Sequence, residues 1–333
     1  MNWNKGSTNK DYMTLVDPRS WVDKRNVNIA GGTIRREVSN LMESADVNCN
    51  EKIFEQEKWT RIWRIAHQDD TSERQPLFTG LSISPQDSYN GRLINNTVQC
   101  YSVLKPAEDI YLPRGWYAPQ GFSGSALVKQ LLDCTPAPKI ESEFSPSLNN
   151  SIIAEENETR LSMAHKILQA INWRLRIDGY GRIYICPKDT EPRIIINTQN
   201  MDIVEQDVNV KRDLFNCPNV FRAIAEDLVG IARDDSENSM LSTVNRGREV
   251  WAVESNCDLN DEETVSEYAL RRLKELQATN QIVNYSRRFV PDILPNDMVR
   301  LQLPEQNLDD NYIVKSQTLT LGKSKVDEEV WHE

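Results

Sequence analysis

The chain has 333 residues, 39% of them hydrophobic and 27% charged, a balance typical of soluble globular proteins and long enough for two or three domains. Its 39 basic and 50 acidic side chains leave a net charge of −11. That disfavours tight nonspecific nucleic-acid binding, which depends on Lys and Arg displacing counterions. No apolar run approaches the roughly 20 residues that span a bilayer. The opening "MNWNKGSTNKDYM" lacks the apolar centre of a signal peptide, so synthesis in a cytoplasm without export is expected.

Residues 1–106 read mostly as strands. "NVNIAGGTIRREVSN" suggests two extended runs about a turn at Ala30-Gly31-Gly32. "KWTRIWRIAH" alternates, placing Trp59, Arg61, Trp63 and Ile65 on one face. "QPLFTGLSIS" and "RLINNTVQCYSVL" follow as strands around the polar turn "PQDSYNG". Many short strands with Gly, Asn and Pro turns indicate an antiparallel sandwich or barrel.

Residues 107–193 differ in character. "SGSALVKQLLDC" predicts a helix over about 123–134, with Leu127, Val128, Leu131 and Leu132 as its apolar stripe and a serine as cap. "ETRLSMAHKILQAI" predicts a second helix, about 159–171. "INWRLRIDGYGRIYICP" then predicts a hairpin over 172–186, turning at Asp178-Gly179-Tyr180-Gly181. A helix followed by a hairpin makes a compact α+β element whose apolar face must pack on a neighbour. "RIIIN", Arg193–Asn197, predicts one more strand.

Residues 213–333 return to strands, interrupted by a helix over about 261–277 whose stripe is Val265, Tyr268 or Ala269, Leu273 and Leu276. Asn260 and Glu263 have capping-box spacing. No short-period repeat is present, although the outer thirds have the look of distant copies of one fold.

Few residue patterns suggest chemistry. His67, His165 and His332 show no HExxH or H-x-H spacing, so a histidine-built metal or triad site is disfavoured. "GFSGS", Gly121–Ser125, nearly matches a nucleophile elbow but has Ser125 in place of the last glycine and no strand before it; helix capping fits better. "DLNDEE", Asp258–Glu263, starts like a calcium loop, yet Glu263 stands where glycine is needed and Ala269 where glutamate is. "RDDSENS", Arg233–Ser239, reads as a solvated loop tip, and "DGYG" as a turn with no helix behind it to hold phosphate. Cys49, Cys100, Cys134, Cys186, Cys217 and Cys257 form no CxxC pair and are expected as free thiols. No catalytic, cofactor or metal site is expected.

The order of these segments resembles a known family. "PLFTGLSIS…NTVQCYSVLK", a serine-capped helix, "LSMAHKILQAINWRLRIDGYGRIYI", "NVFRAIAED", "SEYALRRLKEL", "LPNDMVRLQL" and "NYIVKSQTLTLG" look like the central hub proteins of phage tail tips and baseplates, with relatives in contractile bacteriocins and phage-like injection machines. The resemblance spans about residues 15–325.

The resemblance implies a mainly β, α+β chain with two tail-tube-like antiparallel β-barrels, each with a flanking helix. Barrel I would be 1–106, with strands in 194–212 returning to it; the insert 107–193; and barrel II 213–333. It further implies a homotrimeric ring joining a six-fold tail tube, or distal tail protein, to a three-fold spike, tip or fibre-bearing protein. DNA or the tape-measure protein would pass through its channel. The chain would be a virion component without enzymatic activity.

Two rivals stand beside that reading. One is a peptidoglycan hydrolase with acids such as Glu155 or Asp178 in acid–base roles. The other is a carbohydrate-binding β protein using Trp59, Trp63 or Trp116, although core or interface packing suits those rings better.

Overall fold

A computed structural model describes residues 2–3, 6–39, 41–50, 56–90, 93–141, 145–197, 207–212, 214–225, 228–255, 257, 264–278 and 281–332. The chain opens with seven strands: β1 (Thr8–Val16), β2 (Asp23–Val27), β3 (Ile29–Glu37), β4 (Glu43–Cys49), β5 (Lys58–Gln68), β6 (Thr71–Asn90) and β7 (Leu93–Ser102). A mixed segment follows, with α1 (Lys105–Glu108), β8 (Tyr117–Ala118), α2 (Gly124–Leu131), β9 (Lys139–Glu141), β10 (Ile152–Ile153), α3 (Arg160–Ala170), β11 (Trp173–Ile177) and β12 (Ile183–Pro187). Next come β13 (Ile194–Asn197) and β14 (Asn209–Arg212), then β15 (Val220–Ala225), β16 (Leu228–Arg233), α4 (Thr243–Arg246), β17 (Trp251–Ser255) and α5 (Val265–Ala278). The chain closes with β18 (Gln281–Arg288), β19 (Met298–Leu303), β20 (Leu308–Thr320) and β21 (Lys325–His332).

The fold is mainly β, and 13 strands join one sheet. Its order is β14-β18-β21-β20-β3-β4-β7-β6-β5-β1-β2, with β19 paired to β20 and β13 to β19. Two modules emerge with the same wiring. In the first, β5-β6-β7 is a meander, β4 pairs β7, β3 pairs β4, and β1 pairs β5. In the second, β19-β20-β21 is the meander, β18 pairs β21, β14 pairs β18, and β13 pairs β19. One orientation differs: β1 runs antiparallel to β5, whereas β13 runs parallel to β19.

Three expectations change. The strands of 194–212 do not return to the first module; they pair with β19 and β18 of the second. The run 214–278 is not part of the second large module either: β16-β15-β17 form a separate three-stranded sheet covered by α5. That unit sits between β14 and β18, where the first module has only the short link from β3 to β4. Finally, each barrel was expected to carry its own helix, but α2 and α3 pack in the insert and α5 packs on the small sheet. The described pairings form an open path ending at β14 and β2.

Local corrections have plain causes. Ala30-Gly31-Gly32 is not a turn but part of β3, whose register against β4 shifts between Ile29 and Gly31. Glycine is needed because a Cβ at Gly32 would lie 2.3 Å from the Asp46 carbonyl oxygen. "PQDSYNG" is mostly strand: β6 continues to Asn90, which pairs with Leu93. The expected capping box at Asn260 and Glu263 lies outside the described residues, as does the calcium-like stretch 258–263. Thr264 and Glu267 do that work on α5, the Thr264 N–H donating to Glu267 Oε2 (2.8 Å) and the Glu267 N–H to Thr264 Oγ1 (3.3 Å).

Strand β20 belongs to both modules. Its first half pairs with β19 over Leu308–Ile313 and its second half with β3 over Ser316–Thr320. Between them the register against β21 shifts, from Val314 to Ser316. The bulge moves the buried phase from Tyr312 and Val314 to Gln317 and Leu319. Tyr312 and Val314 therefore enter the core of the second module, with Val283, Leu301 and Val330. Leu319 enters that of the first, with Ile34, Ile62, Phe78 and Val98. Each such aliphatic burial is worth about 1.5–3 kcal/mol, so the shared strand binds the modules strongly.

Candidate functional site

The chemistry-bearing side chains concentrate at the seam between the modules and at the insert that crosses it. Strands β18 and β21 alternate apolar residues into the cores, yet each breaks the pattern with charge in the buried phase. In β18 the run is Val283, Tyr285, Arg287, then Phe289 just beyond; in β21 it is Val326, Glu328, Val330. These positions lie where one core ends and the other begins.

The result is a polar row across five strands. Tyr285 stands opposite Glu328, Glu328 opposite Gln317, Gln317 opposite Arg36, and Arg36 opposite Glu43. The Arg287 guanidinium grips Glu328 at 3.0 and 2.5 Å, and the Tyr285 hydroxyl donates to the same carboxylate (2.5 Å). Gln317 Nε2 donates to it at 2.6 Å. Burial works to raise the Glu328 pKa, but Arg287, Tyr285 and Gln317 together hold it below the ordinary carboxylate range. Arg36 reaches across to the Leu77 carbonyl.

Glu43 is the exception. Its nearest base is Arg36 at 3.8 Å, and its Oε1 has no hydrogen-bond partner among the described residues. Burial pushes its carboxyl up to about 8. Nearby, Arg64 of β5 is fully buried, gripped by Asp11 at 2.9 and 2.8 Å and laid over the Phe289 ring of the second module.

The hairpin β11–β12 clasps this seam. Trp173, Leu175 and Ile177 point into the insert core, and the alternate residues Arg174 and Arg176 point out. Those arginines meet Asp297, a fully buried carboxylate before β19, at 3.1 and 3.2 Å; Arg193 approaches it at 3.3 Å. Asp189 also pairs with Arg174 (2.8 Å). The tip meets the first module. A Cβ at Gly179 would lie 2.0 Å from the Pro76 carbonyl oxygen, so only glycine permits this approach. Thr79 Oγ1 donates to the Gly179 carbonyl (2.8 Å), and Trp21 Nε1 to that of Tyr180 (2.8 Å). The Tyr180 ring packs edge-on to Trp63 at 5.6 Å, with Arg61 stacked on it at 5.4 Å. The hairpin thus holds one module with its tip and the other with its basic face.

The other expected residues do not assemble. His67 is exposed on β5, His165 lies on α3, and His332 Nε2 meets Asp310 Oδ2 at 2.9 Å. Ser123 accepts from the Ala126 N–H and caps α2, and Ser125 donates to Glu141. Glu155 is exposed and tied to Lys166 at 2.8 Å, whose hydrogen bond holds its carboxyl below the usual range, opposite to what a general acid needs. Asp178 accepts from the Arg182 N–H and the Tyr184 hydroxyl and so shapes the hairpin turn. The 233–239 segment is mostly exposed, as a solvated loop tip, and is braced where Asp234 accepts from Ser239 Oγ (2.6 Å) and Gln277 Nε2 (3.0 Å). Trp63 is buried, Trp59 packs on Trp21 at 5.4 Å, and Trp116 packs on the insert core, so none offers an open platform for sugar. All six cysteines are free thiols. Among the described residues no group of His, Cys, Asp or Glu could hold a metal ion, and no helix is long and apolar enough to cross a membrane.

Solved structures share this arrangement from end to end. A tail protein from Neisseria meningitidis MC58 matches with a TM-score of 0.72 over 98% of this chain and 97% of its own, at 11% identity. The fold is that of phage tail proteins. A 43 kDa tail protein of prophage MuSo2 from Shewanella oneidensis shares the tail-protein fold at TM-score 0.66 and 13% identity, over 97% and 98% of the two chains. A prophage tail protein from Listeria monocytogenes EGD-e shares it at 0.59 and 10%, over 97% and 95%. No family model matches the chain, and no curated protein matches it.

Proposed function

We propose that this chain is a structural hub of a phage tail tip or baseplate, or of a phage-like injection device. Three copies form a ring that joins the six-fold tail tube to a three-fold tip or spike. In this reading 8–102 is one tube-type unit, and 194–212 with 281–332 the other. Residues 103–193 form the clasp between them, and 214–278 a second insert.

The observation that carries the reading is the repeated strand order fused into one sheet. A trimer of two-module chains presents six like modules to a six-fold tube while keeping three-fold symmetry towards the tip. The whole-length likeness to tail proteins supports it. A net charge of −11 suits a bore that DNA or tape-measure protein must slide along without sticking. Its neighbours are the tail tube or a distal tail protein, a spike or fibre-bearing protein, and the tape-measure protein. The chain assembles in the host cytoplasm and resides in the virion. In this reading its role is structural rather than catalytic: the seam carboxylates Glu328 and Asp297 are buried and paired with arginines, and Glu43 is buried without a close base.

Imaging of the purified chain by electron microscopy tests this reading, with three-fold rings showing six peripheral lobes as the expected result. Particles of any other symmetry overturn it. A turbidity assay on bacterial cell walls should show no clearing, and clearing would favour the hydrolase instead.

A further inference from the structure

Strand β6 is irregular where the hairpin tip meets it. Against β5, Ile62 pairs with Phe78 and Trp63 with Pro76, so Leu77 is passed over and β6 bulges there. The Leu77 carbonyl is met instead by Arg36, reaching from β3, which does not border β6. The tip rests on the same bulge, since a Cβ at Gly179 would run into the Pro76 carbonyl and approach the Leu77 nitrogen at 3.2 Å. One guanidinium thus braces the seat on which the clasp sits.

Arg36 is poorly matched in charge. Arg64 of β5, Arg176 of the hairpin and Arg287 of β18 all bear on it with like charge. Each of those has a carboxylate of its own: Asp11 at 2.8 Å, Asp297 at 3.2 Å and Glu328 at 2.5 Å. Among the described residues Arg36 has only Glu43, at 3.8 Å, too long for a hydrogen bond. Arg36 Nε and Glu43 Oε1 are both buried with no hydrogen-bond partner among the described residues. Two orphaned groups on facing side chains mark a second position for the guanidinium, paired with a charged Glu43. The charges acting on Glu43 are Arg36 and, from the hairpin turn, Asp178, which works against its ionisation.

We propose that Arg36 is a two-position latch, holding the Leu77 carbonyl while Glu43 carries a proton and turning to Glu43 once that proton is released to solvent, which frees the bulge and lifts the hairpin tip. The coupling follows from reciprocity. A docked tip brings Asp178 towards Glu43 and opposes its ionisation, so an ionised Glu43 opposes docking to the same degree. With the tip down, Glu43 titrates at about 8. The docked state holds the proton more tightly than the lifted one, so docking weakens as pH rises through that value. The device lies within one chain and does not depend on the ring.

Trypsin reads the tip at the Arg182–Ile183 bond. The ratio of wild-type to Glu43→Gln cleavage rates cancels the protease's own pH dependence. That ratio should be close to unity at pH 6 and rise about fivefold or more by pH 9. A ratio that stays flat overturns the latch. So does a ratio far below unity at pH 6, since a neutral side chain must keep the tip down. A second measurement leaves Glu43 in place. Carbon-13 NMR of the glutamate carboxyls should find the high titration shifted down in Gly179→Ala, whose added methyl lifts the tip. An unchanged midpoint overturns the coupling.

Discussion

The two β modules share a wiring but are loaded differently. In the first, the link from β3 to β4 is short and the core is completed by Leu319, Leu321, Val326 and Phe289 from the second. In the second, the equivalent link from β14 to β18 has grown into a sheet-and-helix unit, yet the core draws on the module's own strands. The first module therefore depends on the second more than the reverse. A duplicated fold can diverge in this way because its strand order is kept by pairing, whereas its links and edges are free to change.

The dependence is open to experiment. Glu328→Ala strips Arg287 of its buried partner at the seam and should cost about 3–5 kcal/mol. Because β20 belongs to both cores, denaturant unfolding followed by tryptophan fluorescence and by far-UV dichroism should still show one coincident transition. Two separated transitions would break the comparison and make the modules independent.

Gly179→Ala acts on the first module alone. The added methyl meets the Pro76 carbonyl, so the hairpin tip must lift, at a cost of about 1–3 kcal/mol. Limited proteolysis should then cut near Asp178–Arg182 faster than in wild type, and an unchanged rate would mean that the tip does not clasp.

Glu43 sharpens the comparison through pH. Its carboxyl titrates near 8 when folded, against an ordinary 4.5. With the folded value raised, the native state keeps a proton that the unfolded chain releases. Its stabilising contribution is complete below the ordinary value, declines across the interval, and is gone above about 8. Glu43→Gln stays neutral throughout. Its unfolding free energy should track that of wild type with pH below about 4.5 and gain on it by pH 9, by at least the roughly 1.4 kcal/mol of one pKa unit, as read by denaturant titration at each pH. Glu328 runs the other way: its lowered pKa gives stability above the ordinary carboxylate value that is lost as pH falls.

The smallest effect belongs to the second insert. Thr264→Ala removes the cap of α5 and should cost about 1 kcal/mol. Hydrogen exchange should rise in α5 and its sheet, with the seam strands unaffected.

Much of the local structure was legible in the residues. The helices, the hairpin turn and most strands follow from period and turn chemistry, because those depend on neighbours close in sequence. Even the double role of β20 leaves a trace, in apolar spacing that slips phase between Val314 and Leu319. The charges at Arg287 and Glu328, set in the buried phase of apolar strands, were a readable sign of a polar seam that went unread. Tertiary structure alone decided the partners. Nothing local tells Ile194–Asn197 to lie along β19 rather than return to the first module, or sets 220–255 apart as its own sheet. A strand's backbone pairs equally well with any free edge, so the choice falls to whichever core the whole chain leaves open.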